Sequence, residues 1–397
     1  MRILYYSPHP THDIVSEVGY ATHQREVILA LKALGHDVLP VIMGGTDASD
    51  LSPLAQANYQ PSRIKVLIKK LVPRFLWTSF NNFKLRQHDI KAGNRLKEAI
   101  VEFKPDLIYE RSEYLQDSGA KHASEAGIRY FLEVNAPFVE EMRSFEGYSL
   151  YENKAHSIET YKLQKADRVF AVSTSLADFL VKRYQCNKDK IIVQPNCINP
   201  TKVSVDTSES DRIGTEFELK DTSVIGFVGS MFPYHGVDIL INAFAEVSKL
   251  HKNIKLMIVG DGSVLNQLKI QTKQLGIESK VIFTGKIPHG QVFNYISVMD
   301  ICIMAKSNWY GSPVKLFEYG LMKKPIIAPD TAPVKDVMIH GKDALIVQDN
   351  MTDLADAIRE LLENTTKANE MAESFYTKVM AEYNWKHAAD NIIKECI

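Results

Sequence analysis

Short apolar segments alternate with segments of helical period from one end of this chain to the other. Residues 2–7, 37–43, 106–110, 129–134, 168–173 and 191–193 read as strands in the first half, with a first helix at about 20–34. Consecutive parallel strands need crossover connections, so this order calls for parallel sheets covered by helices. At 397 residues the chain exceeds what one hydrophobic core usually serves. Residues 201–223 turn polar, and the same rhythm restarts at about 224 with strands at 224–228, 255–259, 281–284, 301–304, 326–328 and 344–347. The expected fold class is α/β: two doubly wound, Rossmann-like domains, 1–200 and 224–375, facing one another across a cleft and joined by a linker at 201–223.

One stretch in the second half combines features that suit an anion. In N-W-Y-G-S-P-V-K-L-F-E, residues 308–318, Gly311-Ser312-Pro313 reads as a helix start. Ser312 is a suitable N-cap, and Pro313 suits the first helical position, where a missing N–H costs nothing. The first-turn amides, from Val314 on, point outward at the positive end of the helix dipole. Lys315 adds an ammonium, and Glu318, three residues on, shares its face. Amides and a cation for phosphate, with a carboxylate for two adjacent hydroxyls, match a diphosphate carrying a ribose. The competing reading is an ordinary buried helix with a chance Lys/Glu pair.

In the first half, polar residues stand where open α/β sheets place ligands, at the carboxyl ends of strands. These are Arg111 within E-R-S-E and Asn135 ahead of Glu140 and Glu141, while Gly19, at a loop–helix junction, would let the backbone approach a ligand closely. Residues 51–88 hold no Asp or Glu up to His88, but carry seven Lys and Arg among bulky apolar and aromatic side chains. Over 62–88 that mixture suits a surface helix lying on anionic lipid. The alternative is a helical pair whose apolar side is core. No nucleic-acid recognition motif accompanies it, and the formal net charge of −1 suggests neither nucleic acid nor membrane. Four scattered cysteines without a CxxC pair argue against zinc and disulfides and fit a reducing compartment. With no DxD and no His/Cys cluster in sequence, no metal is expected. The N-terminus reads as a strand rather than a signal peptide, and no stretch approaches a membrane span.

The second half resembles the retaining glycosyltransferases of family 4, which have the GT-B fold. The matching stretches are G-F-V-G-S-M-F-P-Y-H-G, L-M-I-V-G-D-G, V-I-F-T-G-K-I-P-H and S-P-V-K-L-F-E-Y-G. The first half adds G-Y-A-T-H, L-I-Y-E-R, A-V-S-T-S and Q-P-N-C-I-N, so the resemblance covers nearly the whole chain. It implies a nucleotide-sugar donor, a UDP-sugar foremost, on the second domain and the acceptor mainly on the first. It also implies that a last helix, 376–397, crosses back to the first domain. Glu318 is then the ribose-gripping glutamate, while Tyr310 stands where the family has another glutamate. Ser230 and His235 occupy the positions of two diphosphate-holding cations, and Asn135 that of a first-domain histidine. Lys286 completes the expected donor set with Gly311 to Lys315.

The expectation is thus a retaining, metal-independent transferase that uses no cofactor beyond its donor. Lys315 and His235 would stabilise the leaving diphosphate, with Arg111 and Asn135 near the acceptor and domain closure excluding water. The acceptor would be a glycan or lipid-linked hydroxyl in bacterial surface polysaccharide synthesis, and the protein cytoplasmic, held at the inner face of the membrane. A non-catalytic partner subunit and a nucleotide-sugar epimerase of the same fold are the alternatives. A nicotinamide dehydrogenase is disfavoured, because no G-x-G-x-x-G follows the first strand of either half.

Overall fold

The computed structural model describes residues 1–16, 18–44 and 72–396. The chain divides into two compact units, the first holding Met1–Gln194 and Ala388–Ile397 and the second Pro195–His387.

In the first unit, β1 (Arg2–Ser7), β2 (Asp37–Ile42), β3 (Leu107–Arg111), β4 (Arg129–Val134), β5 (Arg168–Ala171) and β6 (Ile191–Val193) form one parallel sheet. Their order is β2-β1-β3-β4-β5-β6. The second unit repeats the plan with β7 (Ser223–Val228), β8 (Ile254–Val259), β9 (Val281–Gly285), β10 (Ile301–Ile303), β11 (Ile326–Pro329) and β12 (Leu345–Val347). Here the order is β12-β11-β10-β7-β8-β9. Central strands are buried on both faces, which is why Ile3 to Tyr6 and Val224 to Val228 are nearly continuous apolar runs. In each sheet the direction of winding reverses once, between β1 and β3 and between β7 and β10. The crevice outside the carboxyl ends of strands at such a reversal is where this fold class gathers ligands.

Two expectations are corrected. Residues 201–223 are not a bare linker. They carry a 3-10 turn, Pro200–Lys202, and a helix, Thr207–Glu216, capped by Asp206 Oδ1 accepting from the amides of Ser208 and Glu209 and seated by buried Ile213. The closing helix is broken into Thr365–Glu382 and Trp385–Lys394. Asn384 Oδ1 accepts from the His387 amide at 2.9 Å and Tyr383 O from the Ile198 amide at 2.9 Å, so other partners replace the helical ladder there.

The basic stretch is described only in part. Residues 45–71, with Arg63, Lys65, Lys69 and Lys70, lie outside the described residues. The rest opens a single helix, Arg74–Phe103, whose first half inverts the usual pattern. Thr78, Ser79 and Asn82 are buried, while Phe75, Leu76, Phe80 and Phe83 are exposed. The polar side chains face inward because they have partners. Thr78 Oγ1 donates to Glu146 O at 3.0 Å, and Asn82 Nδ2 to Ser149 Oγ at 2.7 Å. Among the described residues no helix is long and apolar enough to cross a membrane.

Candidate functional site

In the second unit the loops leaving β7, β8 and β9 enclose, with the helix Val314–Leu321, a pocket of about 330 Å³. Ser230, Asp261, Lys286, Lys315 and Glu318 supply its polar lining. The β7 and β8 loops can meet only because of glycine. Gly260 has φ +132°, and a Cβ there would lie 2.1 Å from Gly229 O. Opposite them the Lys315 ammonium is shielded from solvent and has no hydrogen-bond partner among the described residues. It sits 4.3 Å from the centre of the Phe227 ring. Burial lowers its pKa to about 8, and Glu318 only partly offsets that. A buried, partnerless cation is costly, and an anion in the pocket would supply what it lacks.

His235 closes a 3-10 turn, Pro233–His235, and its Nδ1 is hydrogen-bonded to the Ser230 carbonyl, so that nitrogen carries a proton. Burial, reinforced by Lys315, lowers its pKa to about 4. The ring is therefore neutral near pH 7, and the second cation expected beside Lys315 is absent before a ligand arrives.

The helix start differs from its sequence reading. Pro313 is the N-cap, with ψ 97°, and the helix begins at Val314. Ser312 Oγ caps nothing, since it accepts from the Asn196 amide at 3.0 Å, while Ser312 O accepts from Asn196 Nδ2 at 3.0 Å. The Gly311 amide is spent on Asn308 Oδ1 at 2.6 Å. The anion-facing part of the stretch therefore contracts to the turn at Val314–Lys315, and Tyr310, whose amide also reaches Asn308 Oδ1, belongs to the loop before it.

In the first unit the loops after β1, β3 and β4 converge. Glu133, 3% exposed, takes Arg111 Nη1 at 2.7 Å, Asn135 Nδ2 at 2.6 Å and Tyr109 Oη at 2.9 Å, with His23 Nε2 at 2.9 Å. Burial alone would raise its pKa, but His23, Arg111 and Asn135 together hold it far below the usual carboxylate range. Arg111 and Asn135 are thus brought together, on an acidic hub that sequence reading missed. The i, i+2 spacing of Arg111 and Glu113, and of Glu133 and Asn135, was the available signal. Gly19 opens its helix exposed to solvent, with nothing within 4 Å of a Cβ placed there, so no close approach requires glycine.

Beside this hub His12 Nδ1 lies 2.7 Å from Glu113 Oε1. His9, His12 and Glu113 each bring one atom capable of ligating a metal within 4.8 Å of the others, so the fold assembles a His/Glu group where the sequence suggested none. The two histidines stand three apart on one loop; their carboxylate comes from the loop that follows β3, distant in sequence.

Two family models match the chain: residues 19–202 match Glycosyltransferase Family 4, and residues 211–378 match Glycosyl transferases group 1. Among curated proteins, a phosphatidylinositol N-acetylglucosaminyltransferase subunit of Saccharomyces cerevisiae is 23% identical over 62% of this chain and 53% of its own length. The alpha-D-kanosaminyltransferase of Streptomyces kanamyceticus is 22% identical over 59% of this chain and 61% of its own. These matches span little more than half of the relatives' lengths. Among solved structures, Anabaena HepE in complex with UDP superposes with a TM-score of 0.73 at 15% identity, covering 100% of this chain and 99% of that one. WaaG, a glycosyltransferase involved in lipopolysaccharide biosynthesis, gives 0.63 at 14% identity, with 99% of each chain covered.

Proposed function

We propose, from the premise that this chain is a GT-B glycosyltransferase with a Family 4 domain followed by a group 1 domain, that it moves a sugar from a nucleotide diphosphate to an acceptor hydroxyl with retention. The observation that carries the donor assignment is the partnerless Lys315 ammonium beside Glu318 in the second-unit pocket. A diphosphate there would take the ammonium and the amides of the helix start, and Glu318 would take the ribose hydroxyls. Charge grows on the leaving diphosphate as the glycosidic bond breaks, so a preorganised cation favours the transition state over the ground state. His235, neutral when the pocket is empty, would strengthen this only by taking up a proton with the ligand. With retention, the leaving phosphate itself accepts the acceptor's proton on the face where the new bond forms. That step needs no metal and no pair of enzyme carboxylates. UDP is the favoured nucleotide, since HepE is a structural neighbour bound to it. A glycan or lipid-linked acceptor, in surface polysaccharide synthesis at the inner face of the membrane, is supported by the likeness to WaaG and by the exposed aromatic side chains of the helix Arg74–Phe103.

Calorimetric titration with UDP, GDP, ADP and dTDP tests the donor assignment. UDP should bind selectively. Lys315→Ala and Glu318→Ala should each weaken it by about 10- to 100-fold, as expected for hydrogen bonds to charged groups. A folded wild-type protein that binds none of the four would point to a non-catalytic partner subunit instead. Binding with turnover of the sugar nucleotide to its epimer, in the absence of acceptor, would point to an epimerase.

A further inference from the structure

The histidine pair at the end of β1 has a hydrogen-bonding pattern that can be read from its neighbours. His9 Nδ1 accepts from the Thr11 amide at 3.2 Å and lies 3.1 Å from Thr11 Oγ1. A nitrogen that accepts an amide N–H carries no proton, so His9 is a neutral imidazole protonated at Nε2. His12 Nδ1 faces the Glu113 carboxylate at 2.7 Å and so carries a proton, leaving its Nε2 for another partner. The two rings stack with centroids 3.9 Å apart. They therefore place two polar Nε2 edges, that of His9 an N–H donor, on neighbouring rings, and no partner for either Nε2 is present among the described residues.

Tyr20 stacks on the far side of His12 at 4.3 Å, and His12 remains partly open to solvent. The surroundings hold this pattern in place. Lys162, fully buried, donates to Ser112 Oγ at 2.8 Å and Glu113 O at 2.9 Å, fixing the loop that bears the carboxylate. Asp13 Oδ1 accepts from the amides of Val15 and Ser16, and Arg25 Nη1 donates to Ile14 O at 2.7 Å, fixing the loop that bears the histidines. Gly44 presses on the same loop so closely that a Cβ would meet the His12 backbone at 2.4 Å.

We propose that His9 and His12 form a sugar-hydroxyl subsite for the acceptor, an assignment that rests on the transferase reading above. The His9 N–H beside the His12 Nε2 edge complements neighbouring hydroxyls of a pyranose ring, since each hydroxyl can both give and take a hydrogen bond. The Tyr20–His12–His9 stack presents the flat surfaces and edges that sugars meet in binding sites. Glu113 and Thr11 are positioning residues, since each sets the tautomer of the ring it touches. The same group is poorly suited to a divalent metal. His9 could offer Nε2 to an ion only by moving its proton to Nδ1, which would break the bond from the Thr11 amide.

The test uses the full chain labelled with 15N-histidine, followed by long-range 1H–15N spectra of the ring nitrogens. Expected are His9 protonated at Nε2 and His12 at Nδ1. Methyl glycosides of glucose, mannose, galactose and N-acetylglucosamine are then titrated to tens of millimolar. At least one should shift the ring nitrogens of both histidines. His12→Gln and, as a second variant, His9→Gln should each weaken that response by at least fivefold while leaving UDP affinity within twofold. A His9 proton found on Nδ1, or no response to any of the four glycosides, overturns the proposal. So does Zn²⁺ binding at micromolar concentration with loss of the His9 Nε2 proton, which would make this a metal site. Failure of the wild-type chain to bind a nucleotide would count against the transferase reading, and the spectra would still decide the subsite.

Discussion

Lys315 and Glu110 are both buried ionisable groups, and burial moves their pKa values in opposite directions. For Lys315 the folded pKa is about 8 against 10.5 unfolded. Between those values the unfolded state binds more protons, so stability rises with pH across the window and the full penalty applies below it. Lys315→Met, which keeps the stem and removes the charge, should therefore raise the thermal stability of the empty protein at pH 7 by on the order of 1–3 kcal/mol. It should weaken nucleotide binding by about 10- to 100-fold at the same time. A merely structural lysine would show neither gain nor loss together.

Glu110 is fully buried, and burial raises its pKa to about 8, against lowering by Lys162 and by the Tyr130 hydroxyl at 2.8 Å. Here the folded state binds more protons between 4.5 and 8, so stability is complete below that window and falls as pH rises through it. Glu110→Gln, which still accepts from Tyr130, should match wild type in chemical denaturation at pH 4.5. At pH 8 it should exceed wild type by on the order of a few kcal/mol. Equal curves at pH 8 would show that the carboxyl is already ionised without cost.

The helix Arg74–Phe103 sets a different problem, because its apolar side chains face out. Beside Phe75, Leu76, Phe80 and Phe83 stand Phe145, Tyr148 and Leu150, all exposed. The two segments are tied by Arg74 Nε donating to Glu146 O at 3.1 Å and by the Leu150 amide donating to Ser79 Oγ at 3.0 Å. Lys84 Nζ lies 4.3 Å over the Phe80 ring. Aromatic side chains with basic neighbours suit the boundary between headgroups and acyl chains. The double variant Phe80→Glu/Phe83→Glu should lose at least tenfold in cosedimentation with vesicles containing phosphatidylglycerol, while binding UDP as before. Unchanged sedimentation would remove the membrane from the proposed function and leave the donor site intact. The sequence marked this region by composition, but periodicity could not say which face is core, because that depends on buried partners such as Glu146 O and Ser149.

At the scale of the molecule, the first unit is assembled from distant parts of the chain, while the second is one continuous stretch. Ala388–Ile397 belongs to the first unit, where Ala388, Ala389 and Ile392 are buried, Arg168 meets Glu395 at 2.5 Å, and Asn391 donates to Gln194 at 3.1 Å. Truncation after His387 should lower the stability of the first unit, read as lost amide-exchange protection in β5 and β6. The second unit should still bind UDP. Loss of nucleotide binding along with that protection would show that the units do not fold separately.

The strand positions and the parallel sheets were legible in the sequence, because fully buried strands must be apolar runs and crossover helices must carry their own period. Lys315 and Glu318 were legible too, since three residues of helix place them on one face whatever surrounds them. Tertiary structure alone decided the rest. Ser312 lost its capping role to Asn196, and His235 lost its charge to burial beside Lys315. Glu133 gathered Arg111, Asn135 and His23, and Glu113 reached His12 across 101 residues. Hydrogen-bond partners and protonation states depend on which groups lie within about 3 Å and on how much water remains there. Both are properties of the packed fold, and local spacing carries neither.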